Sequence, residues 1–207
     1  MQPLREPILQ PVLIAELRPT QITIGLREVA ERRKGLRGIK GHKEAAWVGT
    51  HMIPVVLGPK ERYYIIDHHH LALALMEEGT KEMFVLPVAR LERLPQDAFW
   101  TMLDNHGWMH PFDAKGRRRP YDEIPASLRD MVDDPFRSLA GALRRAGGYA
   151  KDTTPFSEFL WADFLRRRIR RSRVKDDFPA ALREALKLAK ASDADYLPGW
   201  CGPTGSP

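Results

Sequence analysis

The stretch YYIIDHHHLALALMEEG, residues 63–79, decides how this chain is read. Its first four residues are aromatic or β-branched, the composition of a short strand. Upstream, Val55, Val56 and Leu57 form a second short strand, joined to the first through a turn at Gly58-Pro59. Four polar residues follow, Asp67, His68, His69 and His70. An apolar run through Leu71, Leu73, Ala74 and Leu75 then reads as a helix ending at Gly79. A strand therefore stops and a helix starts on a polar cluster. The start of a helix presents unpaired backbone N–H groups and the positive end of the dipole, which suits a phosphate or another anion. Asp67 is the expected N-cap. Three histidines there can donate, accept or carry protons near neutral pH.

Working outward, residues 12–16 read as a strand, and Arg18-Pro19-Thr20-Gln21 turns the chain. Residues 25–33 have helical periodicity, with Leu26, Val29 and Ala30 on one face. Residues 35–41 are basic and glycine-rich, a loop by composition; residues 44–50 read as a short helix and 83–91 as a strand. This is α+β order, a small mixed sheet with helices. Beyond residue 94 the chain turns helical, with helices expected over 95–103, 125–132, 135–146, 155–171 and 178–191. In the longest of these, Phe156, Phe159, Leu160, Phe164 and Leu165 fall at core spacing. The expected organisation is a first domain over 8–94, a helical extension over 95–195 packed on it, and a flexible tail over 196–207.

The strand-Asp-His-His-helix pattern resembles the signature of the ParB/sulfiredoxin superfamily. The DHHH form is similar to that of a ParB-like nuclease subgroup. In that subgroup it occurs with an upstream LRPTQ-like segment and a downstream SLAG, GGY and PF-EF-WADF stretch. This chain carries them at 17–21, 138–141, 147–149 and 155–164, so the resemblance spans most of residues 8–170. It implies a ParB/sulfiredoxin-like fold, with the ligand held at the DHHH helix. Two departures matter. His70 stands where relatives often carry arginine, and a histidine grips phosphate only when protonated. Gln21 stands near the position of a glutamate that looks like the general base in free-serine kinases of the superfamily, and glutamine cannot take a proton. The sulfiredoxin branch uses a cysteine before its helix; Asp67 and His68 are there instead, so that chemistry is not expected.

The 207 residues suit one domain or one domain with an appended subdomain. Net charge is +6, compatible with nucleotides, nucleic acid or acidic ligands. The single cysteine, Cys201, allows no disulfide within the chain and suits a reducing compartment. No apolar run is long enough for a membrane span, and the expected location is cytoplasmic.

The candidate catalytic residues are Asp67, His68 and His69. Candidate ligand or phosphate contacts are His70, Gln21, Lys151 and Glu158. Each has a plainer reading. The DHHH cluster also suits an N-cap followed by partly exposed histidines, Gln21 a turn, Lys151 the residue after a helix stop, and Glu158 a solvated carboxylate. Arg32, Arg33, Lys34, Arg37, Lys40 and Lys43 suit either an electrostatic lid or a solvated basic loop. The run RRRIRRSR, residues 166–173, suits either nucleic acid or a solvated helix end. His106 and His110 have metal spacing only on a helix, which Gly107 and Pro111 oppose. No protein metal site is expected, and magnesium carried in with a nucleotide is the expected cofactor. The functional reading is a nucleotide or phosphate-containing ligand at the DHHH helix, with phosphotransferase or nucleotide hydrolase chemistry. The alternative is a nuclease or DNA-binding protein.

Overall fold

The structure, a computed structural model, describes residues 10–38 and 51–203. The helix expected over 44–50, and Lys40 and Lys43, lie outside the described residues. In chain order the regular elements are β1 (Gln10–Leu13), β2 (Thr23–Ile24), α1 (Leu26–Arg37), β3 (Ile53–Gly58), β4 (Arg62–Ile65), α2 (His69–Glu77), β5 (Glu82–Arg90), α3 (Gln96–Asn105), β6 (Val132–Asp133), α4 (Pro135–Arg145), α5 (Ser157–Arg166), α6 (Arg171–Asp176) and α7 (Phe178–Lys190). The chain is mixed α+β, as expected. It divides into two compact units, one within residues 1–22, 29–111 and 120–131, the other within 23–28, 112–119 and 132–207. The first unit thus runs past residue 94 to include α3.

A four-stranded sheet in the order β1-β5-β3-β4 forms the first unit. β3 pairs antiparallel with β4 across the Gly58-Pro59 turn and parallel with β5, while β1 pairs antiparallel with β5. Pro87 lies inside β5 and has no N–H to give the ladder; the register shifts there, with Val55 opposite Pro87 and Val56 opposite Ala89. Gly58 is needed for space: a Cβ there would lie 2.6 Å from the Phe99 ring and 2.7 Å from the Tyr64 ring. α2 carries the chain from β4 to β5, and every residue from His69 to Met76 in it is buried. Val56, Tyr64, Phe99, Leu103, Met109 and Ile124 form a core cluster with Ile22.

α1 continues through Gly35 to Arg37, where composition suggested a loop. Ion pairs hold its last turn. Arg33 donates to Glu77 at 2.7 Å and to Glu78 at 2.6 Å, and Arg37 donates to Glu78 at 2.9 Å. Those two arginines hold the Glu78 carboxyl down at about 2.

In the second unit, the two-residue strands β2 and β6 pair in parallel. Asp134 caps α4 by accepting from the Phe136 N–H at 3.0 Å, with Pro135 at the first turn. Asp177 caps α7 in the same way at Ala180. Ala181, Ala185 and Ala189 line the buried stripe of α7 at four-residue spacing, in one core with Phe136, Leu139, Leu143, Trp161, Phe164 and Leu165.

Three expectations change here. Residues 125–132 hold a short 3-10 turn, Leu128–Asp130, and then β6 in place of a helix. The helix expected over 155–171 stops at Arg166; Ile169 turns into the core, and α6 starts anew at Arg171. Part of the expected flexible tail is anchored: Leu197 is buried, Pro198 O accepts from the Trp161 indole at 2.9 Å, and Gly199 O accepts from Ala150 N–H at 2.8 Å.

Candidate functional site

The end of β4 delivers the polar cluster. Asp67 does not occupy the N-cap. Its Oδ1 accepts the His68 N–H at 2.6 Å, and His68 itself is the N-cap residue, in the left-handed region at φ 66° and ψ 23°. Asp67 and His68 are exposed, with 75% and 45% of their side-chain surface accessible. The His68 Nδ1 lies 3.2 Å from the Met52 carbonyl oxygen. A carbonyl only accepts, so Nδ1 carries the proton. The other ring nitrogen, Nε2, lies 3.9 Å from Asp67 Oδ2.

His69 and His70 are buried. The Thr20 N–H donates to His69 Nε2 at 3.2 Å. A backbone amide only donates, so this nitrogen is the unprotonated one. Thr20 Oγ1 donates in turn to the Ile65 carbonyl at 2.6 Å. The Thr20–His69 bond ties the LRPTQ segment to the start of α2. A parallel bridge between Arg18 and Tyr64 lays the same segment along β4. Gln21 is buried and bridged to His110, whose N–H donates to Thr20 O at 2.9 Å. His106 stacks on Trp108 with ring centroids 4.4 Å apart. Among the described residues, no group of three or more His, Cys, Asp or Glu stands where it would hold a metal ion.

The structure therefore groups Asp67, His68, His69, His70 and Gln21 in the first unit. Lys151 and Glu158 belong to the second unit. Lys151 is exposed. Glu158 lies 3.4 Å from Arg144 and 4.0 Å from Arg137. Arg137 also pairs with the buried Glu28 at 2.9 Å, and Arg145 pairs with Glu28 at 3.2 Å. Gly141 of the SLAG motif gives Glu28 its space, since a Cβ there would lie 2.5 Å from Oε2. Tyr149 of the GGY motif donates to the Ala140 carbonyl and stacks on Trp161 at 4.3 Å; burial pushes its hydroxyl well above the ordinary tyrosine range. The downstream motifs thus account for packing within their own unit.

Sequence reasoning passed over a cavity of about 580 Å³ in the first unit, lined by Arg18, Arg62, Tyr64, Trp100 and Tyr121 among others. Tyr64 and Trp100 meet edge to face at 5.4 Å, and Trp100 lies 6.3 Å from Tyr121. The aromatic pair Phe99-Trp100 beside a β-strand tyrosine was the available signal.

The chain belongs to the family described as "Putative ParB-like nuclease", whose model matches residues 10–167. The solved protein Atu1540 from Agrobacterium tumefaciens is 54% identical, with a TM-score of 0.89 over 95% of this chain and 99% of that one. The C-terminally truncated chromosome-partitioning protein ParB from Caulobacter crescentus, complexed with CTP-gamma-S, is 13% identical, with a TM-score of 0.33 over 90% of this chain and 94% of that one. No curated protein matches. Among the described residues, no helix is long and apolar enough to cross a membrane.

Proposed function

We propose that this ParB-like protein binds a nucleotide or another phosphate-bearing ligand at the start of α2. Asp67 and His68 meet the ligand, and His69 holds the LRPTQ segment against the helix. The observation that carries the reading is the division of labour among the histidines. His69 accepts from Thr20 and is buried, whereas His68 stays exposed beside Asp67 with its Nδ1 directed to the Met52 carbonyl. The Nε2 of His68 is then the nitrogen that reaches a phosphate oxygen, donating to it when protonated. The helix dipole adds to that attraction. Transfer of a phosphoryl group to a hydroxyl or to water is the reaction class this arrangement suits, with His68 stabilising charge on the phosphate oxygens. Magnesium would arrive on the ligand's own phosphates and would neutralise their charge, with Asp67 the carboxylate of the motif available to hold it.

The test is thermal stabilisation by ATP, ADP and CTP, each with and without magnesium, on wild type and His68→Ala. A ligand at a hundredfold excess over its Kd stabilises by about 2.7 kcal/mol, which raises Tm by about 5–10 °C in a chain of this size. The expected shift disappears in His68→Ala. No nucleotide shift, or one untouched by the substitution, overturns the reading. The family description favours the alternative, a nuclease or DNA-binding protein. It would show instead as a DNA-dependent shift that falls steeply with salt and is lost in His68→Ala.

A further inference from the structure

A second, chemically distinct site lies wholly within the second unit. It is a cavity of about 390 Å³ walled by Lys115, Arg166, Arg167, Arg168, Arg170 and Arg171 over the buried Phe136 ring. The chain puts these cations together for structural reasons. α5 ends at Arg166, and Ile169 turns into the core. Its neighbours Arg168 and Arg170 are thereby left at the surface. Lys115 comes from a tight turn in which Asp113 Oδ1 accepts from the Lys115 N–H at 2.8 Å and the Arg117 N–H at 3.0 Å. Gly116, at φ 75°, lets that turn approach the Arg166–Asp163 pair, because a Cβ there would lie 2.5 Å from Asp163 Oδ1.

The balance of charge at this cavity is positive. Three carboxylates face the six cations. Asp134 pairs with Arg166 at 2.6 Å, Asp163 pairs with Arg166 and lies 3.6 Å from Arg167, and Asp193 lies 3.9 Å from Arg168. Among the described residues, Lys115 and Arg170 have no carboxylate partner, and Arg171 spends its guanidinium on the Ala114 carbonyl at 3.1 Å. The one aromatic in the wall, Phe136, is only 2% exposed, so no ring is presented for a base to stack on.

We infer that this cavity grips the phosphodiester backbone of a nucleic acid strand, without reading its sequence. Excess cations at a concave site with no exposed ring for a base to stack on recognise phosphate by charge, the sequence-independent part of nucleic-acid binding. This inference is independent of the ligand at α2.

The test is anisotropy of a labelled 20-nucleotide single strand across a salt series. The proteins are wild type, Lys115→Ser/Arg170→Ser, Arg170→Lys and His68→Ala. Both changed positions are exposed, and unchanged melting checks that the variants fold. The wild type should bind with a steep salt slope. The double variant should bind about tenfold more weakly at low salt, with the slope shallower by about 1.4 for two lost phosphate contacts. Arg170→Lys and His68→Ala should bind as wild type does. No binding, or equal binding by the double variant, overturns the inference. So does a loss in His68→Ala, which would put the strand at α2. Displacement of the strand by an equal concentration of tripolyphosphate would make this a free-polyphosphate site and also overturn it.

Discussion

Replacing Arg137 by methionine tests how the second unit is held together. Arg137 and Glu28 are 9% and 5% exposed at their side chains, and they meet at 2.9 Å. The substitution keeps apolar bulk near the Phe159 ring, over which the guanidinium sits at 5.3 Å, but it leaves the Glu28 carboxylate buried without its inner partner. Breaking such a pair from one side costs about 3–5 kcal/mol. Arg145, 3.2 Å from the other Glu28 oxygen and 48% exposed, offsets part of that. The expected loss is therefore near the lower end, about 3 kcal/mol. Urea unfolding, followed by tryptophan fluorescence, should show an earlier midpoint and an unfolding free energy lower by that amount. Adding Glu28→Gln to Arg137→Met removes the stranded charge and should recover more than half of the loss. A single-variant loss below about 1 kcal/mol, the range of an exposed pair, would refute the reasoning. So would a double variant no better than the single one.

The histidines should separate by stability. His69→Ala strands the buried Thr20 N–H and opens a void, costing about 2–3 kcal/mol in urea melts, whereas His68→Ala, which loses one hydrogen bond at an exposed left-handed position, should cost about 1 kcal/mol or less. Two glycines should respond in opposite directions. Gly141→Ala drives a methyl onto Glu28 and should cost about 1–3 kcal/mol; Gly35→Ala, in the open within α1, should gain about 0.5–1 kcal/mol. Glu78 should titrate at about 2 by carboxyl NMR and move back toward the ordinary glutamate value in Arg33→Ala/Arg37→Ala. A carboxyl depressed in the folded state stabilises it fully above about 4.5, and that contribution is lost as pH falls from there through about 2.

The parts of the fold written locally were legible. The Gly58-Pro59 hairpin, the strand into DHHH and the apolar helix after it are each specified by neighbours in sequence. The misread parts depend on distant partners. β2 and β6 are two residues each and exist only because Thr23 and Ile24 pair with Val132 and Asp133, so no local pattern announces them. α1 runs on through Gly35 because Glu77 and Glu78, some forty residues away, hold its arginines. The DHHH cluster was legible as the start of a helix, but the surroundings of each histidine were not. Adjacent residues at a helix start point in different directions, and which histidine is buried depends on the Thr20 amide that meets it.

The central claim, a phosphate-bearing ligand at the start of α2, is tested most directly by amide NMR of the 15N-labelled protein titrated with magnesium-ATP and magnesium-CTP. The account predicts saturable shifts of the His69, His70 and Leu71 amides and of the His68 ring, with the Trp100 indole unmoved. Saturable shifts confined to the cavity at Trp100 and Tyr121, or no shift at the α2 amides at saturating nucleotide, would contradict it.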